Sequence, residues 1–397
     1  MAQIVVQKFG GTTLATADLR KIAAARVIDC QSSGSLPVVV VSAIGRFGSP
    51  YATDTLLAFA SENAELSGRC HDLIASCGET ISAVIFSQLL KSLKVEAVPL
   101  TGAQAGILTD RVFSKARVTA IDCERIYTHV QAGQIPVIAG YQGYADNGDV
   151  TTLGRGGSDT TACVLGAALH ATRVEIYTDV EGLMTADPRL VSDARLISEA
   201  EYSEVRALAM KGAKVIHPEA LEFANGAGVP LHIQSAESPN PGTLVHFSEP
   251  SRPVTGVASF SDVDFFRLPS AKPGPYASGL GVFSTIAAAN ISVHFIDVRP
   301  NETTFVVEKK YSTAVSDILS TRETTFQTSS DYAKVSVIGV GMTGKAGMMA
   351  TVVDSLSARD IAIFQSTDSQ TSISVLVLKK DEPEAVRSLH EAFGLGT

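Results

Sequence analysis

Gly281–Lys310 can be laid on Thr351–Lys380 without a gap, and this internal repeat limits the fold more than any other feature of the chain. Ile291-Ser292-Val293 falls on Ile361-Ala362-Ile363, Phe305-Val306-Val307 falls on Val375-Leu376-Val377, and Lys309-Lys310 falls on Lys379-Lys380. Each copy reads loop, helix, strand, turn, strand and second helix (Ala314–Ser320 and Glu384–Phe393). That order is the split βαβ pattern of ferredoxin-like domains. Two copies are too few for a solenoid, so the repeat predicts paired small domains. The second copy reaches Phe393-Gly394-Leu395-Gly396-Thr397 with no residues left for a fourth strand, while Val254–Ala258, ahead of the first copy, reads as a strand. The expectation is that the two small domains trade strands, with the second inserted into the first.

The preceding part alternates short apolar runs with helical patterns. Ile4–Lys8, Pro37–Ser42, Val95–Leu100, Ile135–Ala139, Val174–Thr178 and Leu231–Gln234 read as strands. Ala17–Cys30, Glu79–Leu90 and Thr160–His170 read as helices. The alternation predicts an α/β domain, with a mainly parallel sheet covered by helices on both faces. The pattern weakens at Ser248-Glu249-Pro250-Ser251-Arg252-Pro253, whose prolines and polar residues mark a boundary. The expected division is residues 1–248, 254–328 and 331–397.

With 397 residues, 45% hydrophobic and 18% charged, the chain is long and apolar enough for several cores. A net charge of −9 without a cluster of Lys and Arg argues against a nucleic-acid surface. Cys30, Cys70, Cys77, Cys123 and Cys163 are odd in number and form no CxxC pair, which fits reduced thiols. No metal site is suggested. The N-terminus enters a strand directly, and the apolar runs are strand-length, so neither a signal peptide nor a membrane span is expected. A cytoplasmic location is the expectation.

Two glycine-rich turns carry the chemistry. Lys8-Phe9-Gly10-Gly11-Thr12-Thr13 joins a strand to a helix. Glycines let backbone N–H groups approach phosphate oxygens, a helix start adds positive potential, and Lys8 adds a full charge. The run matches neither the P-loop nor GxGxxG, and alone it is also compatible with a plain tight turn. Leu153-Gly154-Arg155-Gly156-Gly157-Ser158-Asp159-Thr160 opens a second helix. Arg155 suits a carboxylate, which a guanidinium grips with two parallel hydrogen bonds. Asp159 alone reads equally well as a helix cap.

These turns, followed in order by Tyr177-Thr178-Asp179-Val180-Glu181-Gly182, Thr185-Ala186-Asp187-Pro188-Arg189 and Gly212-Ala213-Lys214-Val215-Ile216-His217-Pro218, resemble the aspartokinases over the whole chain. The C-terminal repeat resembles their tandem ACT regulatory domains. Ser76-Cys77-Gly78-Glu79-Thr80, Leu100–Gly106 and Ile291–Val298 are most similar to the short, diaminopimelate-sensitive isozyme of spore-forming Gram-positive bacteria. The implied fold is an amino-acid kinase domain plus two ferredoxin-like ACT domains. The implied reaction is ATP-dependent phosphorylation of the β-carboxylate of aspartate, the first step of lysine/diaminopimelate, threonine and methionine biosynthesis.

By this resemblance Lys8 binds the transferring phosphate with Gly10 and Gly11, Asp159 organises the lysines, and Lys214 reaches the nucleotide. Thr178, Asp179, Asp187 and Arg189 match positions lining the ATP pocket. Thr13, Ser42, Thr53, Glu79, Arg155 and Ser158 match the aspartate site, with Glu79 on the α-ammonium and Arg155 on the α-carboxylate. Mg²⁺ is expected on the nucleotide phosphates and water rather than in a protein cage. Thr13 stands where the family usually has Ser, and Glu219 where it often has Arg; altered aspartate fit is expected at the first.

For the regulatory half, Ala271–Tyr276 and Gly341–Gly347 are candidate effector loops. Lys272, Gly274, Tyr276, Asp297, Met342, Gly347, Thr367 and Asp368 are the candidate residues for an amino-acid effector (diaminopimelate, lysine or threonine). A homodimer or higher homo-oligomer through the ACT domains is expected. Another carboxylate kinase of the same fold, such as acetylglutamate kinase, and an inactive kinase-like amino-acid sensor are the competing readings. The tandem repeat speaks against the former. Lys8, Arg155, Asp159 and Lys214 speak against the latter.

Overall fold

The computed structural model describes residues 3–213, 215–247, 252–269, 280–342 and 345–396. The chain divides into two compact units. The first comprises Met1–Leu183, Leu196–Ala209 and Lys214–Glu249, and the second Met184–Arg195, Met210–Ala213 and Pro250–Thr397.

In the first unit the chain runs β1 (Ile4–Phe9), α1 (Ala17–Ser32), β2 (Leu36–Val41), α2 (Thr53–Ala60), α3 (Gly68–Ala75), α4 (Cys77–Ser92), β3 (Ala97–Leu100), β4 (Ile107–Thr109) and β5 (Val118–Ile121). It continues through α5 (Glu124–Gln131), β6 (Ile135–Ala139), β7 (Gln142–Ala145), β8 (Val150–Thr152), α6 (Gly157–Ala168), β9 (Arg173–Thr178), β10 (Glu199–Ala200), α7 (Tyr202–Lys211), α8 (Pro218–Ala227), β11 (Leu231–Ser235) and β12 (Thr243–Val245). The main sheet has the order β10-β12-β11-β9-β1-β2-β6-β3. Neighbours from β11 to β3 are parallel, and β11 meets β12 antiparallel. Val38–Val41 are wholly buried, as a strand covered on both faces requires. Alternation assigns the faces. Val39 and Val41 share a core with Phe9, Val27 of α1 and Phe86 of α4, while Val40 points to Gly140 and Ser158 of α6.

β1 lies at the centre, with β2 on one side and β9 on the other. The carboxyl ends Phe9, Val41 and Tyr177 stand level in the register. A crevice outside the carboxyl ends of a parallel sheet, where strand order reverses, is where open α/β folds bind ligands. A second sheet, β5-β4-β7-β8, was not visible in the sequence because its strands are short and polar. It brings β8 to the start of α6.

The second unit holds β13 (Gly256–Phe260), β14 (Val263–Pro269), α9 (Leu280–Ala288), β15 (His294–Val298), β16 (Glu302–Glu308), α10 (Ser312–Thr321), β17 (Gln327–Ser329), β18 (Tyr332–Ile338), α11 (Met348–Ser357), β19 (Gln365–Ser369), β20 (Ser372–Leu378) and α12 (Glu382–Ala392). Its sheets are β15-β16-β14-β17 and β13-β18-β20-β19. The nesting therefore runs opposite to the expected one: the first copy is contiguous from β14 to β17 and sits inside the second, whose fourth strand is β13. The reading went wrong at Gln327-Thr328-Ser329, which is too short and polar to read as a strand yet pairs with Phe265–Arg267. With that strand the first copy needs no exchange. The second copy's gap is filled by β13, antiparallel to β18 from Gly256↔Ile338 to Phe260↔Lys334.

Candidate active site

The first glycine turn is built by close approach. A Cβ on Gly11 would stand 2.3 Å from the Ala43 carbonyl oxygen, so only glycine lets the turn after β1 lie against the turn after β2. The Gly11 carbonyl accepts from the Gly45 amide at 2.9 Å, and the Phe9 carbonyl accepts from the Ser42 amide at 3.1 Å. Lys8 is nearly buried on β1, and its Nζ lies 2.7 Å from Asp159 Oδ1 at the start of α6. The ion pair holds the ammonium at the carboxyl end of the sheet.

Two expectations for this turn need correcting. The Gly10 amide donates to the Tyr177 carbonyl at 3.1 Å, so it ties β1 to β9 and is not free to cradle a phosphate. Thr13 is buried, and its hydroxyl donates to the Gly10 carbonyl at 2.6 Å, closing the turn on itself. Neither Gly10 nor Thr13 lines the cavity described next, so the extra methyl of Thr13 does not reach it.

A cavity of about 680 Å³ opens beside this turn. Of the expected residues, Lys8, Gly11, Ser42, Thr53, Glu79, Arg155, Ser158 and Asp159 line it together. Glu79 stands in the first turn of α4, which reaches the β2 loop because a side chain on Gly78 would strike Ala43. The residue as a whole is 3% exposed. Oε1 accepts from the Ala43 amide at 3.2 Å and the Thr53 hydroxyl at 3.4 Å, while Oε2 is buried with no hydrogen-bond partner among the described residues. Burial pushes the Glu79 carboxyl up to about 7, and the Ala43 and Thr53 hydrogen bonds only partly oppose it. A buried anion with one orphaned oxygen is built to receive a cation.

The second glycine turn places the opposite charge. Gly154 and Gly156 have φ of +77° and +75°, which bends β8 into α6 and leaves Arg155 exposed at the bend. Among the described residues Arg155 has no ion-pair partner. Gly156 has a second constraint, since a Cβ there would stand 2.3 Å from that of His217. The bend is anchored by Asp72, which is fully buried. Its oxygens accept from the Thr152 amide and hydroxyl at 2.8 Å each and from the Ser114 amide at 2.9 Å. The motifs gave no sign of Asp72, a lone acidic residue inside an amphipathic helix.

Arg46 was also missed. It lines the cavity and pairs with Asp179 at 2.5 Å, both side chains being largely exposed. Thr178 donates to Asp179 at 3.2 Å. These two expected nucleotide residues thus stand at the end of β9, outside the cavity lining but joined to it through Arg46. Asp187 and Arg189 fall in the second unit, where they pair with each other at 2.6 Å. Lys214 lies outside the described residues, as do Lys272, Gly274 and Tyr276. Glu219 lines a separate cavity of about 160 Å³. Among the described residues no group of three or more His, Cys, Asp or Glu side chains is placed to hold a metal. Among the described residues one apolar segment is long enough to cross a membrane, Gly68–Ser92, which is α3 and α4, half buried in the fold.

Of the expected effector residues, Met342 is buried in a core with Val335 and Val375, and its amide donates to the Gln370 carbonyl at 2.8 Å, so it is not available to a ligand. Gly347 caps α11 in the left-handed conformation. Asp297 pairs with Arg299 on the edge strand β15, and Thr367 and Asp368 are exposed on the edge strand β19.

Comparison with known proteins gives the family. The amino acid kinase family matches residues 3–235 and the ACT domain matches residues 327–391. The chain is 43% identical to aspartokinase 1 of Bacillus subtilis over 99% of both chains, and 36% identical to an aspartokinase of Mycolicibacterium smegmatis over 99% of this chain and 96% of that one. Among solved structures it resembles Escherichia coli aspartokinase III in complex with aspartate and ADP, with a TM-score of 0.81 at 26% identity, covering 99% of this chain and all of that one. The same enzyme in complex with lysine and aspartate gives a TM-score of 0.80 at the same identity and coverage.

Proposed function

From the premise that this chain belongs to the aspartokinases, we propose that the cavity at the carboxyl ends of β1 and β2 holds aspartate between Glu79 and Arg155, with its β-carboxylate toward Lys8. The protein phosphorylates the β-carboxylate of aspartate with ATP, the opening step of the aspartate-derived amino acids, and ACT domains regulate it. The assignment of residues rests on one observation above the others: among the described residues Oε2 of the buried Glu79 has no hydrogen-bond partner and Arg155, on the same cavity, has no ion-pair partner. An amino acid carries the two complementary charges on one carbon.

The chemistry asks little more of the protein. The β-carboxylate is already ionised at neutral pH, so no general base is needed. One of its oxygens forms a bond to the γ-phosphorus of ATP while the bond from that phosphorus to the β,γ-bridging oxygen breaks, and the electron pair leaves with ADP. Lys8, held by Asp159, neutralises charge on the transferring group, and Gly11 and the α6 N-terminus (Gly157, Ser158) add backbone polarity. Ser42 and Thr53 offer hydroxyls along the aspartate, while Thr178, Asp179 and Arg46 form the nucleotide side. The donor set of Lys8, Gly11 and Arg46 suits phosphates. Mg²⁺ bound with the nucleotide would supply charge neutralisation on its phosphates, and among the described residues no cluster of His, Cys, Asp or Glu is placed to hold it.

The division of labour follows the same reading: the first unit is the catalytic domain, and the two small domains are β14–β17 and, around it, β13 with β18–α12. An amino-acid effector of the diaminopimelate, lysine or threonine class would bind on the regulatory half, with Gly347 and the exposed edges at Asp297, Thr367 and Asp368 as its candidate residues. The enzyme would act in the cytoplasm as a homodimer or larger assembly. The test is ADP release coupled to a readout, with aspartate, glutamate or acetylglutamate as acceptor. Arg155→Ala should raise the aspartate KM at least tenfold, the loss of a charge-assisted hydrogen-bonded pair. An unchanged KM would remove Arg155 from the aspartate site.

A further inference from the structure

Three long basic side chains line the cavity: Lys8, Arg46 and Arg155. With Arg155 on the α-carboxylate of aspartate and Lys8 on the transferring group, Arg46 is left. The loop that carries it is fastened to the first glycine turn. The Gly45 amide donates to the Gly11 carbonyl at 2.9 Å, and a Cβ on Gly11 would stand 2.8 Å from the Gly45 carbonyl oxygen. Gly45 and Gly48 have φ of +86° and +93°, and the Ser49 amide donates to the Arg46 carbonyl at 2.8 Å, so Arg46 opens a tight turn. The Gly48 amide donates to the Thr55 hydroxyl at 2.9 Å, which ties the far side of that turn to α2. The backbone of Arg46 is thus fixed one residue from the Gly11 contact.

The side chain is anchored from outside the cavity. Arg46 Nη2 lies 2.5 Å from Oδ2 of Asp179, which is not part of the cavity lining and whose Oδ1 accepts from the Thr178 hydroxyl at 3.2 Å. Among the described residues Nε and Nη1 of Arg46 have no hydrogen-bond partner. An ion pair this exposed contributes little to stability; its effect is to hold two side chains in one geometry. Lys8 is held in the same way by Asp159, at 2.7 Å. The two pairs stand at the same end of the sheet. The point where a Gly10 Cβ would sit is 3.6 Å from Lys8 Nζ and 3.5 Å from the Tyr177 carbonyl oxygen, and Asp179 follows Tyr177 by two residues. A phosphoryl group in transit spreads its charge over several equatorial oxygens, more than one ammonium neutralises. A planar guanidinium with free N–H groups can meet two of those oxygens at once.

We propose that Arg46 is a catalytic residue, donating hydrogen bonds from its free N–H groups to the phosphoryl group in transit while Asp179 holds the guanidinium in place. The inference rests on the reading that this cavity transfers phosphate from ATP to aspartate, and it adds a second cation to Lys8 at the reacting atoms. The carboxylate oxygen joins the γ-phosphorus, the bridging oxygen leaves with its electron pair on ADP, and Arg46 neither takes nor gives a proton. Asp179 is a positioning residue that acts through Arg46. ADP lacks the group that Arg46 contacts, so its binding does not draw on the arginine.

The test uses the full-length enzyme with ATP, Mg²⁺ and aspartate, and ADP as product inhibitor. Both side chains of the pair are largely exposed, so neither substitution threatens the fold, which urea unfolding checks. Arg46→Ala should lower kcat roughly a hundredfold and leave the aspartate KM and the ADP Ki within about threefold. Arg46→Lys, a point charge without the planar fork, should stay at least about tenfold below wild type. Asp179→Asn should lower kcat about fivefold on its own, but less than about twofold when added to Arg46→Ala, because its effect passes through the arginine. A kcat in Arg46→Ala within threefold of wild type, an ADP Ki that rises as far as kcat falls, or losses that multiply in the double variant would overturn the proposal. Lys8→Ala, run alongside, separates it from the reading beneath it. A kcat lowered by Lys8→Ala but not by Arg46→Ala overturns the role of Arg46 alone, and a kcat lowered by neither overturns the placement of phosphoryl transfer in this cavity.

Discussion

Glu79→Gln should trade affinity for stability, and the size of the trade can be worked from burial. Withdrawal from water lifts the Glu79 carboxyl from 4.5 to about 7. The folded protein therefore binds this proton more tightly than the unfolded chain does. Between pH 4.5 and 7 the folded state carries more protons, so stability falls as pH rises through that window and levels off above it. A shift of that size corresponds to about 3 kcal/mol at pH 8, against less than about 1 kcal/mol at pH 5. Gln carries no charge at either pH. Any constant cost of burying its amide cancels when the two conditions are compared. Urea unfolding should thus show the difference between variant and wild type moving in favour of the variant by about 2.5 kcal/mol from pH 5 to pH 8. The same variant should lose aspartate affinity. In the wild type the ionised fraction of Glu79 falls roughly tenfold from pH 8 to pH 6, so the aspartate KM should rise by a similar factor, and in Glu79→Gln this dependence should disappear. A stability difference that does not change with pH would refute the reasoning, because Glu79 would then not be a carboxylate strained by burial.

Two further outcomes follow from the phosphate side. Lys8→Ala should lower kcat by at least a hundredfold while changing the aspartate KM less than threefold, as steady-state kinetics would show, because Lys8 pairs with Asp159 before substrate arrives and acts on the transferring group. Gly11→Ala should cost about 1–3 kcal/mol in urea unfolding and abolish turnover, since its Cβ would meet the Ala43 carbonyl at 2.3 Å and push apart the two turns that frame the cavity; a fully active, equally stable variant would show that the close approach is dispensable.

The sequence revealed most of what repeats or alternates. β1, β2 and β6 are buried runs rich in Val and Ile, β11 alternates buried and half-buried residues, and these patterns survive without any knowledge of their partners. The cavity residues that were legible sit in glycine turns, where composition reports a backbone constraint directly. What stayed hidden depends on tertiary partners. Asp72 is an unremarkable acid in an amphipathic helix until β8 and Ser114 wrap around it. Gly10 and Thr13 look like ligand-binding residues until the Tyr177 carbonyl and the turn's own backbone claim their donors. Strand β17 is three polar residues whose identity as a strand lies in β14 rather than in themselves. The nesting of the two small domains could not be read for that reason.

The central claim is that this cavity directs phosphoryl transfer to the side-chain carboxylate of aspartate. Acyl phosphates react with hydroxylamine, so trapping the product during turnover tests it directly. With ATP, Mg²⁺ and aspartate the wild-type enzyme should yield aspartyl hydroxamate in step with ADP, while glutamate in place of aspartate, or Lys8→Ala in place of wild type, should yield almost none. ADP release without hydroxamate, or equal hydroxamate from glutamate, would contradict it.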